Sequence, residues 1–174
     1  MDNITKECAC NSNCCGTEQE KKKINIEFLY LDLNTCKRCQ GAESNLEQAI
    51  SEVSSVLKSA GYEVNINKIN ITSPDLAIKY EFISSPTIRI NGNDISLDVT
   101  ETSCKDCGDL CGDSVDCRSW VYEGVEHQEP PKEMIINEIM KEIYGNNPKS
   151  FKSKNEYVMP DNLKLFFNGI REKK

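Results

Sequence analysis

The chain has 174 residues, a formal net charge of −7, and 38% hydrophobic against 28% charged residues. That length supports one domain with a real core plus appendages. The acidic balance argues against nucleic acid as the main partner, because phosphate binding needs a basic face, and no run of about 18 apolar residues exists to span a membrane.

Ten cysteines stand out against this background. Residues 1–23 are polar throughout and do not resemble a secretory signal, so the expected setting is cytoplasmic. There, cysteines are catalytic or metal-binding more often than they form a disulfide scaffold. The abundance of Asn, Ile and Lys suggests an AT-rich bacterial source.

In chain order, residues 1–23 read as a flexible arm carrying Cys8, Cys10, Cys14 and Cys15. Residues 24–33 alternate at Ile24, Ile26, Phe28 and Tyr30 and then turn fully apolar, the pattern of a buried strand. Asn34-Thr35 offers a cap. Ala42, Leu46, Ala49, Ile50, Val53, Leu57 and Ala60 then fall at helical spacing, ended by Gly61. Tyr62, Val64 and Ile66 alternate, and Ile69 and Ile71 continue in the opposite phase. This predicts a strand with a bulge. Ser73-Pro74 opens a short helix to about Phe82.

After Pro86 comes a strand at 87–90. Asn91-Gly92 follows as a hairpin turn, and Ile95, Leu97 and Val99 suggest the return strand. Residues 100–118 break this pattern and read as a polar, cysteine-rich loop, with one more strand near Trp120-Val121-Tyr122. Pro130-Pro131 opens a helix ending at Gly145. The tail 146–174 carries one short helix after Pro160. The expected organisation is an arm at 1–23, a core domain at 24–145 with an insertion at 100–128, and an extension at 146–174. The fold class is α/β, a mixed sheet of four to five strands flanked by helices.

Three groups of sulfurs carry the chemistry. Cys36-Lys37-Arg38-Cys39 lies where a strand meets a helix. A helix N-terminus stabilises a thiolate, and Lys37 and Arg38 add positive charge. Cys36 is therefore the expected nucleophile and Cys39 the resolving thiol. Cys104, Cys107, Cys111 and Cys117 offer four thiols within fourteen residues, enough to close around one tetrahedral ion. Two disulfides, or a second redox pair relaying to Cys36, are the other readings. The polar loop buries too little to order itself, so a cross-link is expected, with zinc favoured in a reducing compartment. Cys8, Cys10, Cys14 and Cys15 are close-set thiols suited to soft ions such as Cu(I), Hg(II), Cd(II) or trivalent arsenic. His127, the sole histidine, reads as a surface residue before the last core helix. Trp120 reads as a core or lid residue, and the aspartates at 106, 109, 113 and 116 as a solvated loop face.

The order strand, helix, strand, helix, proline, hairpin, helix, with Cys-x-x-Cys at the first junction, resembles the thioredoxin-like superfamily. It looks like a bacterial thioredoxin-like family with added cysteine clusters. The resemblance covers about Ile24 to Val99 and Pro130 to Gly145. It implies a cis proline at Pro86 packed beside Cys36 and Cys39. Thr35 before the pair and Lys37-Arg38 inside it depart from the usual Trp and Gly-Pro. The resemblance implies a thiol–disulfide oxidoreductase. It would need no cofactor and would partner a protein disulfide or a reductase. The alternative, from the cysteine count, is a binding protein for soft metals or metalloids (Zn, Cu, Hg, As).

Overall fold

The computed structural model describes residues 21–96, 98–112, 114–145 and 156–173. Strand β1 (Lys22–Tyr30) leads into helix α1 (Lys37–Ser59) and strand β2 (Tyr62–Asn70). Helix α2 (Pro74–Lys79) and strands β3 (Thr87–Ile90) and β4 (Asn93–Asp94) follow. The segment between β4 and the next core helix contains β5 (Thr100–Ser103), α3 (Lys105–Cys111), β6 (Asp116–Tyr122) and β7 (Val125–His127). Helices α4 (Lys132–Tyr144) and α5 (Asp161–Glu172) complete the described elements.

The main sheet has the order β2-β1-β3-β4. β1 runs parallel to β2 and antiparallel to β3. A second, antiparallel sheet has the order β5-β6-β7. The expected mixed α/β architecture is therefore present.

Two cores lie on opposite faces of β1. Ile24, Ile26 and Phe28 pack with Ala42, Leu46 and Ala49 of α1 and with Ile135 and Ile139 of α4. Leu29 joins the other core, with Ile69, Ile71, Ala77, Phe82, Leu163 and Phe166. This arrangement explains the phase change in β2. Its register with β1 is unbroken from Tyr62 to Asn70, so the expected bulge is not there. The strand keeps its period of two. Tyr62 and Val64 touch the first core, whereas Ile69 belongs to the second, which lies only toward the strand's C-terminal end.

Asn91 and Gly92 both have positive φ, 51° and 84°, as a two-residue hairpin of the expected kind requires. The return strand is shorter than the alternation of Ile95, Leu97 and Val99 suggests. The Ser96 amide donates to Asp94 Oδ1 at 2.9 Å, a local turn that ends β4. Asp94 also holds Arg118, the only charged side chain at 0% exposure among the described residues. The guanidinium donates to both Asp94 oxygens at 2.7 and 2.9 Å, to Thr87 Oγ1 at 3.1 Å and to the Ser96 carbonyl at 2.9 Å. It lies 4.4 Å from the centre of the Trp120 ring. Trp120 is itself fully buried in the first core, as a core residue should be. One cation thus joins the two sheets.

Asp94→Ala should strand this buried cation and cost about 3 kcal/mol. Denaturation midpoints at fixed metal content measure it. A loss below about 1 kcal/mol would mean that the guanidinium escapes to water.

Candidate metal centre

Cys36 is the N-cap of α1, in extended backbone, and its Sγ accepts from the Cys39 amide at 3.4 Å. The sulfur thus takes the capping role expected of Asn34 or Thr35. Asp32 instead accepts from the Thr35 amide. Cys39, one turn on, is fully buried, and its Sγ lies 3.4 Å from Ser85 Oγ. Ser85 Oγ also accepts from the Leu31 amide at 3.1 Å. The Ser85–Pro86 peptide is cis.

The segment 100–118 is not the polar loop expected of it. Cys104 is the N-cap of α3, Cys107 lies in its first turn, and Cys117 lies in β6. These cysteines are 4%, 0% and 0% exposed, and they serve as the apolar side of their elements. Cysteine packs as a small hydrophobe, which a count of aliphatic residues misses.

The Sγ atoms of Cys36, Cys104, Cys107 and Cys117 all lie within 4.8 Å of one another, and the Cys107–Cys117 pair is at 3.2 Å. A tetrahedral ion with bonds near 2.3 Å needs its sulfurs about 3.8 Å apart. The four atoms therefore fit one ion with small side-chain adjustments. The donor set is all sulfur, which suits zinc and softer ions and not magnesium or calcium.

Two contacts clamp the cluster to α1. The Lys37 amide donates to Asp106 Oδ2 at 2.9 Å, so an aspartate of α3 satisfies the N-terminus of α1, whose own first turn has no acid. Asp106 thus departs from the solvated face expected for it. Arg38 is only 8% exposed and donates to the carbonyls of Thr102, Ser103 and Cys117 and to Thr102 Oγ1. Its charge orders the neighbouring strands, and its hydrogen-bond partners are oxygens and not the sulfurs.

Electrostatics follow from crowding. Hydrogen bonds from Cys104, Cys107, Cys117 and Cys39 hold the Cys36 thiol far below the ordinary thiol range, against burial. Cys104 falls to about 7, through bonds from Cys107 and Cys117. Cys107 and Cys117 are pushed up, chiefly by their bonds to Cys104. Cys39 is pushed up by its bond to Cys36 and then by burial, against the Ser85 hydroxyl. The crowding thus favours the thiolate at Cys36 and disfavours it at Cys107 and Cys117.

Cys111 is not in the group. It ends α3, four residues past Cys107 and hence about 6 Å along the helix axis, where it meets α5. Gly169 allows that approach. A Cβ at Gly169 would stand 2.3 Å from the Cys111 carbonyl oxygen. His127 lies in β7 opposite Trp120, outside the group. Cys8, Cys10, Cys14 and Cys15 lie outside the described residues. Among the described residues, no cysteine forms a disulfide and no helix is long and apolar enough to cross a membrane.

Residues 24–139 match the family described as "Domain of unknown function (DUF2703)". The chain belongs to this family. All four clustered cysteines fall within the matched span of the DUF2703 domain. An "Uncharacterized protein" of Archaeoglobus fulgidus is 30% identical over 103 residues, covering 56% of this chain and 71% of its own. No solved structure matches.

The DUF2703 site was half legible in its sequence. The spacing of Cys104, Cys107 and Cys117 already suggests that they share one site. The place of Cys36 was not legible, because it comes from a different element. The useful signal was that Cys36-x-x-Cys39 and Cys104-x-x-Cys107 both begin helices. Reading 104–111 as helical would have set Cys111 one turn away.

Arg38→Met should leave the Thr102, Ser103 and Cys117 carbonyls without this donor. Losing about 2 kcal/mol there speeds local opening about 30-fold. Hydrogen exchange at the amides of residues 116–118 reads this directly. Unchanged exchange would show that β5 and β6 dock without Arg38.

Proposed function

We propose that the protein is a thiolate metal-binding protein on a thioredoxin-like sheet. Cys36, Cys104, Cys107 and Cys117 hold one thiophilic divalent ion, zinc in the first instance. The carrying observation is the buried four-sulfur group within 4.8 Å. Four thiolates around one Zn(II) leave a net charge of −2. The amide end of α1 and the Arg38 guanidinium lie where that charge is needed. The closed, all-sulfur set supports a site that is structural or that stores its ion, since a catalytic zinc keeps one position open.

The sheet order β2-β1-β3-β4, with the Cys36/Cys39 pair at the end of β1 and the Ser85–Pro86 step beside it, supports the thioredoxin-like reading. That likeness also supports a second function, thiol–disulfide exchange with Cys36 attacking, Cys39 resolving and Pro86 shaping a substrate groove. Two observations weigh against a protein disulfide as substrate. Cys36 is 1% exposed and Cys39 is fully buried. The Arg118 amide also donates to the Ser85 carbonyl at 2.8 Å, so the chain's own β6 occupies the edge beside the pair.

Metal analysis of reduced, anaerobically purified protein separates these readings. With Cys8, Cys10, Cys14 and Cys15 replaced by Ser to remove their background, one zinc per chain is expected. Single Cys→Ser changes at 36, 104, 107 or 117 should weaken binding at least about 100-fold, while Cys111→Ser retains it. Absorption spectroscopy of the cobalt-substituted protein should show four-thiolate coordination. A protein that holds no zinc, or whose zinc depends on Cys111 rather than Cys36, sinks the proposed site.

A further inference from the structure

Of the two described cysteines outside the proposed centre, Cys39 shares the first turn of α1 with Cys36. Cys39 is not among the four, yet it is fully buried, and its amide donates to Cys36 Sγ at 3.4 Å. The two lie three residues apart across the first turn of α1, where side chains face one another with Cβ atoms about 5–6 Å apart. A disulfide needs about 3.5–4.5 Å, and Cys36 as N-cap has extended, non-helical backbone that can supply the difference. Cys36 therefore has two competing partners, the ion and Cys39. It cannot bind both.

The surroundings limit what can bring about the exchange. The five sulfurs are at most 4% exposed, and β6 covers the edge beside Ser85. A macromolecular disulfide cannot reach them. A small molecule can approach from one side. An open cleft of about 530 Å³, lined by Ser103, Cys104, Lys105, Gly108, Asp109 and Val115 among others, runs up to Cys104. Cys36 Sγ lies within 4.8 Å of the Cys104 sulfur.

We propose that Cys36 and Cys39 form a peroxide-responsive dithiol whose oxidation expels the ion. This inference rests on the four-thiolate reading above. The oxidant is a hydroperoxide. The Cys36 thiolate attacks the O–O bond, takes one oxygen as a sulfenic acid and releases hydroxide. The Cys39 sulfur then displaces that oxygen, and a Cys36–Cys39 disulfide forms. The Cys39 proton leaves with the departing hydroxide as water. Two electrons pass from the two sulfurs to the peroxide, whose oxygens end as water when the oxidant is hydrogen peroxide. The ion keeps only three thiolates and is released. A dithiol reductant reverses the reaction. The buried pair thus acts on its own ion and not on a protein substrate.

The test uses the full-length, zinc-loaded protein with limiting hydrogen peroxide under anaerobic conditions. Released zinc is followed with a colorimetric chelator, and disulfides are mapped by mass spectrometry. The expected result is one zinc released per Cys36–Cys39 disulfide. Cys39→Ser should load zinc normally and release it about tenfold more slowly or less. Cys39→Ala serves as the second variant if serine at this buried position impairs folding. Zinc release at the wild-type rate from a loaded Cys39 variant overturns the inference and leaves the metal site standing. So does a map dominated by Cys104–Cys107 or Cys107–Cys117 disulfides. Failure of the reduced wild-type protein to load zinc at these sulfurs overturns both.

Discussion

Four thiols packed within 4.8 Å in a dry interior cannot all ionise unless a cation lies among them. Without one, they must share protons, and a single thiolate is solvated by its neighbours. The rest of the structure is arranged around this constraint. The N-terminus of α1 meets Cys36. Asp106 reaches across to cap the same helix, and Arg38 gathers the carbonyls of β5 and β6 over it. Each contact joins the segment between β4 and α4 to the first turn of α1. The cluster and the docking of that segment are one structural event.

The second core shows how this works mechanically. Its apolar members come from β1, β2, α2 and α5, and its sulfurs from α1, α3 and β6. Leu163 and Phe166 of α5 are buried there, and Gly169 lets α5 close on the end of α3. The first core, between the sheet and the helices α1 and α4, contains no cysteine. Disturbance of the sulfurs should therefore be felt in the second core and in α5 before it reaches the first core. β1 and α1 contribute to both cores, and Arg118 adds a further link by tying Asp94 to Trp120.

Legibility from sequence followed the same division. The elements around the first core were readable because aliphatic periodicity specifies them. The helical spacing from Ala42 to Leu57, the Asn91-Gly92 turn and the helix after Pro130-Pro131 all lie where that pattern places them. Around the second core, α2 and α5 were readable from Ser73-Pro74 and Pro160, but β5 and α3 were not, because the burial there is supplied by cysteine. Residues 100–118 look polar when cysteine is counted as a ligand only. One strand, a helix and part of a core were hidden by that choice. The four-sulfur group draws on residues far apart in the chain, and local spacing does not report such contacts. Cys111 is close in sequence to Cys107 yet one helical turn away along α3, whereas Cys36 is distant in sequence and lies in the group.

The separation of Cys36 from Cys104, Cys107 and Cys117 has a consequence for synthesis. Sixty-seven residues lie between the first ligand and the second. The closure entropy of such a loop grows only slowly with length, so distance is little obstacle once the sheet has formed. Order in time is the greater restriction. A chain still emerging from the ribosome can pair β1 with β2 before Cys117 has left it. During that interval Cys36 and Cys39 stand at the end of a growing helix without their later neighbours, as an ordinary surface dithiol. The protein passes through a stage of reactive, uncovered sulfur chemistry on the way to a form that buries it.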